Sequence, residues 1–164
     1  MNLYLLRHGM TARADDDTLR RLTDEGIEAL KKVIDRRKAK LFDMHEVHSS
    51  PMGRVLQTAE IASEQFKFKG QIINNESLMK LTRAEDIVPT LQHLTDASNV
   101  MLVSHESSLC NFLLWLTGED VLMSNSSLTA VKTDKLERGA GKILWQESPN
   151  SSEIKHTHSF VDMF

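Results

Sequence analysis

The strongest constraint in this sequence is an alternation of two kinds of segment, short continuously apolar runs and longer stretches with helical spacing. Leu3-Tyr4-Leu5-Leu6 and Val100-Met101-Leu102-Val103 are apolar at every position, so a strand made from either is apolar on both faces. That suits a parallel sheet covered by helices on both sides. Ile27, Leu30, Val33 and Ile34 recur at helical spacing, as do Ile87, Val88, Leu91 and Leu94. Strands alternating with amphipathic helices predict an α/β fold, a three-layer α/β/α sandwich with a mostly parallel central sheet. Leu128–Thr133 and Lys142–Gln146 flank an Arg138-Gly139-Ala140-Gly141 turn. They read as a hairpin that gives the sheet an antiparallel edge near the C-terminus.

The remaining elements follow from punctuation. Asn2–Leu6 reads as the first strand, ending at Arg7-His8-Gly9, and Met10 to Arg21 lacks an apolar period and reads as a loop or irregular helix. Thr23 is the expected N-cap of a helix with Asp24 and Glu25 in its first turn. Lys31, Lys32, Arg36, Arg37, Lys38 and Lys40 load its end with positive charge, a face that suits the helix dipole and reads as solvated. A second strand is expected at Glu46–Ser49, with Ser50-Pro51 as an N-cap and N1 pair opening a helix to about Phe66. A third strand is expected at Gln71–Asn74, an amphipathic helix at Arg83–Leu94, a fully buried strand at Val100–Ser104, and a helix at Ser107–Leu116.

With 164 residues the chain fits one compact domain over 1–147, followed by a polar C-terminal tail over 148–164. Its 23 acidic and 20 basic residues leave a net charge of −3, which gives no global attraction to nucleic acid. The run Phe112-Leu113-Leu114-Trp115-Leu116 falls far short of the ~20 residues that span a bilayer. No membrane segment or secretory signal is read, and the cytoplasm is the expected location. The lone Cys110, beside Leu109 and Phe112, reads as a packed thiol and excludes an intrachain disulfide or a Cys-rich zinc site. Asp15-Asp16-Asp17 reads as a solvated loop run rather than a magnesium site, and His156 and His158 as part of a solvated tail. Neither a metal nor an organic cofactor is expected.

In open α/β sheets ligands bind beyond the carboxyl ends of the strands. The first strand delivers Arg7-His8-Gly9 there, the second delivers Ser49-Ser50-Pro51 with Arg54 in the next helix, and the fourth delivers Ser104-His105. Two arginines and two histidines thus converge on one edge. A guanidinium fork matches phosphate oxygens, a helix N-terminus adds N–H donors, and an imidazole can attack phosphorus and later leave.

These residues resemble the histidine phosphatase superfamily. The resemblance rests on Leu5-Leu6-Arg7-His8-Gly9, Leu22-Thr23-Asp24-Glu25-Gly26, Ser49-Ser50-Pro51-Met52-Gly53-Arg54 with Gln57-Thr58-Ala59-Glu60, and Val103-Ser104-His105. The small size, the segment from Leu19 to Gly26 and the Ser-Ser-Leu-Thr-Ala-Val strand from Ser126 resemble the SixA-type phosphohistidine phosphatase branch. The resemblance implies that His8 is the nucleophile and that Arg7, Arg54 and His105 bind the phosphoryl group. It also points to Arg20, although Arg21 stands where the branch has proline. Relatives commonly carry proline or glycine soon after the second histidine. This chain has Glu106-Ser107-Ser108, and Glu106 is expected to face outward and support the helix N-terminus.

Larger relatives place an acid for ester cleavage on a long segment after the third strand. Here that segment is short, and Glu76 is its one candidate general acid. A P–N bond asks less, because a protonated imidazole leaves as a neutral molecule. The expected activity is therefore hydrolysis of protein phosphohistidine, on a signalling or phosphotransfer protein such as a histidine phosphotransfer domain. A phosphomonoesterase acting on a small phosphorylated metabolite is the second expectation, and a non-catalytic phosphate-binding adaptor the third. A mutase fits less well, since it needs a closed, water-poor site.

Overall fold

The structure, a computed structural model, describes residues 1–150 and, beyond them, the backbone of one strand at His156–Ser159. The fold is α/β. In chain order its elements are β1 (Asn2–Arg7), α1 (Asp24–Arg37), β2 (Glu46–Ser49), α2 (Gly53–Gln65), β3 (Ile72–Asn74), α3 (Ala84–Ile87), β4 (Asn99–Ser104), α4 (Glu106–Thr117), β5 (Glu119–Val121), β6 (Leu128–Lys132), β7 (Lys142–Glu147) and β8 (His156–Ser159). The main sheet has the order β3-β2-β4-β1-β6-β7. The first four of these strands run parallel, and β6 and β7 form the expected antiparallel edge. A second, two-stranded sheet pairs β5 with β8, neither of which the residue pattern announces. The side chains of His156 and His158 lie outside the described residues.

The continuously apolar runs take the central places. All six residues of β4 are buried, and β1 beside it buries Leu3, Tyr4, Leu5 and Leu6. Alternate residues of these strands serve opposite faces. Leu3, Leu5, Val100 and Leu102 join a core with Ile87, Leu91, Phe112 and Leu116 on one side. Tyr4, Leu6, Met101 and Val103 join another with Leu30, Val33, Ile34 and Val55 on the other. Two packed faces on one sheet make the three-layer sandwich that two-sided strands require. Among the described residues no helix is long and apolar enough to cross a membrane.

Three local expectations are corrected. Ser50-Pro51 does not cap α2. Its N-cap is Met52, without a side-chain bond, while the Ser50 hydroxyl lies 3.2 Å from His105 Nε2. Helix Arg83–Leu94 is reduced to the four residues of α3 and a 3-10 segment over Val88–Leu91. Pro89 is the physical reason, because it lacks the N–H needed to continue an α-helical ladder. The basic end of α1 is not wholly solvated either. Arg37 Nε donates to Glu147 Oε1 at 2.9 Å, and Arg36 Nη1 lies 3.6 Å from Glu147 Oε2. Thr23, by contrast, caps α1 as its position suggests, accepting the Gly26 N–H at 2.9 Å.

Candidate active site

The carboxyl ends of β1, β2 and β4 open onto a cavity of about 440 Å³ lined by Arg7, His8, Met10, Thr11, Arg20, Arg54, Lys80, Leu81, His105, Glu106, Ser107 and Asn125. The four residues singled out at the strand ends are therefore brought together, and Arg20 joins them. Glu76 is not. It sits exposed at the start of a short 3-10 turn after β3 and does not line this cavity. A carboxyl group there has no part in the assembled site.

His8 stands at the floor, 8% exposed. Its own N–H donates to Ser104 O at 3.1 Å, its carbonyl accepts from Ser126 N at 3.2 Å, and the next N–H, of Gly9, donates to Thr58 Oγ1 at 3.1 Å. Gly9 is closely packed: a Cβ there would lie 3.0 Å from Leu22 Cδ2, so that side chain would have to give by a few tenths of an ångström. The His8 side chain is just as fixed. Nδ1 lies 2.8 Å from the Gly9 carbonyl, which can only accept, so Nδ1 carries the proton. Nε2 is then left with its lone pair. Burial, opposed by the Gly9 bond and reinforced by Arg7, Arg54 and Arg20, lowers the His8 pKa to about 4. His105 meets it edge-on at a centroid distance of 5.8 Å. Burial, together with His8, Arg54 and Lys80 and against Asp17, lowers the His105 pKa to about 3. Both imidazoles are neutral at neutral pH while the cavity is empty.

Four cations surround them. Arg7 is aimed by a bond from Nη1 to Met123 O at 2.7 Å. Arg54 is 1% exposed, an arginine set wholly inside the protein. Its Nη1 donates to Asp17 O at 3.1 Å and its Nη2 to Asp17 Oδ2 at 3.3 Å. Arg20 donates to Thr11 Oγ1 and, at 3.3 Å, to Asp17 Oδ1, and Lys80 Nζ lies 3.4 Å from Asp17 Oδ2. Asp17 is thus a shared counterion for three cations of the site. It is not the merely solvated carboxylate expected of its run. Even so, Arg7 Nε, Arg20 Nε, Arg54 Nε and His105 Nδ1 are buried without a hydrogen-bond partner. These atoms are themselves shielded from solvent, so what an oxyanion would meet is the lining, in which Arg7, Arg20, Arg54 and Lys80 outnumber one carboxylate.

Glu106 is also placed differently from expectation. It occupies the first turn of α4, as read, but its side chain lines the cavity, with Oε2 3.4 Å from Arg7 Nη2. Pairing with Arg7 draws it inward. Lys80, Thr11 and Asn125 are further lining residues that sequence reasoning missed. They lie in loops without a period, and only the folded chain brings them to the strand ends.

A sequence model described as the histidine phosphatase superfamily (branch 1) matches residues 3–82, about half the chain, including Arg7, His8, Arg20 and Arg54. The structure of the protein histidine phosphatase SixA complexed with tungstate superposes with a TM-score of 0.83 at 25% identity, covering 92% of this chain and 98% of that one. Sequence over residues 3–82 and fold over nearly the whole chain both match the histidine phosphatase superfamily. Other superposable structures carry the fold alone. One from Agrobacterium tumefaciens, assigned as the phosphohistidine phosphatase SixA, gives a TM-score of 0.74 at 22% identity, with 90% and 98% of the two chains covered. A phosphoglycerate mutase from Bacillus anthracis gives 0.64 at 17%, with 90% and 91% covered. A search of curated protein sequences finds no match. These matches support a phosphatase with a catalytic histidine.

Proposed function

We propose that the chain hydrolyses phosphohistidine on a protein through a phosphoenzyme formed on His8. The observation that carries the reading is the His8 ring, whose Nδ1 is committed to Gly9 O while its Nε2 stays free within a cavity shared with Arg7, Arg54 and His105. In the first step Nε2 attacks phosphorus, the P–N bond of the substrate breaks, and its electron pair returns to the departing imidazole. Nδ1–H keeps its bond to Gly9 O, so phospho-His8 is an imidazolium and a good leaving group. Water then attacks the phosphorus, and phosphate and neutral His8 are released. Arg7 and Arg54 hold the equatorial oxygens, with Arg20 and Lys80 nearer the mouth, and His105 donates from a ring that its neighbours keep neutral.

No step in this cycle needs a metal or an organic cofactor. A histidine phosphotransfer domain or another phosphohistidine-bearing protein is the substrate class, reaching the site with one phosphorylated ring. The same cations would also hold a phosphate monoester of a small metabolite. That reading is weaker, because an alkoxide needs a proton and Glu76 does not line the cavity. A non-catalytic adaptor would have no use for an unblocked Nε2 at the floor.

The test is capture of the intermediate. The enzyme is mixed with a phosphohistidine protein, quenched within a turnover, digested, and read by mass spectrometry under conditions that preserve P–N bonds. Phosphate on His8 is the expected result, absent in His8→Asn, with turnover falling on the order of 10⁴-fold. Full activity in His8→Asn removes the mechanism. Turnover of a metabolite panel in preference to the phosphohistidine protein removes the substrate class.

A further inference from the structure

Glu106 has no place in the phosphate-binding reading of the cavity. It is the one carboxylate among the residues lining it. A negative charge beside a phosphoryl dianion weakens binding, and in this site it also takes part of Arg7 away from the substrate. Such a group needs a positive task to offset that cost. Its position indicates which one. His8 and His105 are 8% and 2% exposed, whereas the Glu106 side chain is half exposed, on the outer wall of the cavity. In-line attack from His8 puts the leaving group on the far side of phosphorus, toward that wall. Beside Arg7, Arg54 and the two histidines, the cavity's other lining side chains are the cations Arg20 and Lys80, the apolar Met10 and Leu81, and the neutral Thr11, Ser107 and Asn125. Asp17, the nearby carboxylate behind them, is divided among Arg20, Arg54 and Lys80, which leaves Glu106 as the lining group that attracts a positively charged leaving group.

A phosphohistidine ring protonated on its second nitrogen is such a group. We propose that Glu106 accepts a hydrogen bond from that ring N–H and thereby selects phosphohistidine over phosphate monoesters. The inference rests on the phosphohistidine reading above and names the residue that enforces it. The chemistry balances without any further reactant. The ring enters as an imidazolium, the P–N electron pair returns to the nitrogen that carried phosphorus, the second nitrogen keeps its proton, and neutral imidazole departs while His8 Nε2 gains the phosphoryl group. A ring lacking that proton would have to leave as imidazolate, a far poorer leaving group. By favouring the imidazolium, the carboxylate lowers the barrier to P–N cleavage. An ester offers no N–H at this place, and its developing alkoxide is repelled.

Glu106→Gln keeps the shape and an acceptor for Arg7 but removes the charge. The expected result is a loss in kcat/KM of about 10- to 100-fold toward free phosphohistidine and a phosphohistidine protein. Turnover of p-nitrophenyl phosphate should rise, because the charge that competes for Arg7 and repels the alkoxide is gone, and Glu106→Asp should recover part of the phosphohistidine activity. Equal losses on both substrate classes would reduce Glu106 to a prop for Arg7 and overturn the proposal. Unchanged phosphohistidine turnover would overturn it as well. The wild-type enzyme is compared on both classes first. A preference there for monoesters defeats the phosphohistidine reading itself and takes this proposal with it, a result separate from any shown by the variants.

Discussion

Arg54 and Glu147 are both charged and both buried, 1% and 4% exposed, and the protein treats them in opposite ways. Arg54 stands at the carboxyl ends of the strands, and its carboxylate partner is Asp17, half exposed on a loop and divided among Arg54, Arg20 and Lys80. Its Nε has no hydrogen-bond partner, and neither has Glu147 Oε2, so the difference between the two lies in what holds their ion-pair partners. Glu147, at the end of edge strand β7, is clamped by two arginines from α1, and Arg37 also stacks over Trp145, 4.3 Å from the ring centroid. One buried charge keeps a partner that a ligand can replace; the other has partners held by packing. The same types of side chain build an exchangeable site in one region and a fixed joint in the other.

Acid tests this contrast most strongly. His8 and His105, with pKa values lowered to about 4 and about 3, share the exchangeable end, while an unfolded chain has its histidines near 6.5. Between those values the unfolded state binds more protons, so stability rises with pH and is lost as pH falls below 6.5. By pH 5 the two rings together should cost about 4 kcal/mol of unfolding free energy. Denaturant titrations from pH 7.5 to 5 measure this slope, and His105→Asn should cut it to about half. An unchanged slope in that variant would mean that the pocket histidines are not the groups being charged.

The fixed joint is tested by Arg37→Ala. It leaves the Glu147 carboxylate buried with Arg36 alone and strips the cation from Trp145, so a loss of about 2–3 kcal/mol is expected. Activity on a phosphohistidine substrate at saturating enzyme stability should not change, since Arg37 lies away from the cavity. A parallel fall in kcat would show that the two regions are coupled rather than independent.

The sheet was legible in the sequence because its central strands, β1 and β4, are apolar on both faces, a signal that depends on no partner. The site was legible for a related reason. Arg7, His8 and His105 fall at or just beyond the ends of those strands, and Arg54 lies one residue into α2, so placing the strands placed them. What escaped was decided by contacts between loops. Asp17 reads as one of three solvated acids until the turn over Asp17–Leu19 lays it against Arg54 and Lys80. Glu106 was expected to avoid a phosphate, and its pairing with Arg7 turns it inward. Helix Arg83–Leu94 was read from an apolar period that Pro89 interrupts. In each case local pattern lost to a specific interaction or to a missing N–H.

Asp17→Asn gives the smallest effect and bears most directly on the exchangeable end. Burial acts to raise the Asp17 pKa, but Arg20, Arg54 and Lys80 together outweigh it and hold the carboxyl below its usual range, so Asp17 is ionised wherever the enzyme works. An incoming phosphoryl group has to compete with this charge for Arg54. The backbone carbonyl of Asp17 still receives Arg54 Nη1 in the variant, so the guanidinium stays in place while the competing charge is lost. Inhibition by inorganic phosphate should therefore tighten by about two- to fivefold, a modest gain because Asp17 is half exposed and its charge is screened by water and salt. The gain should shrink at high ionic strength. Weaker phosphate binding would mean that the carboxylate organises Arg54 for its ligand instead of competing with it, and the distinction between a replaceable and a fixed partner would then have to be withdrawn for this pair.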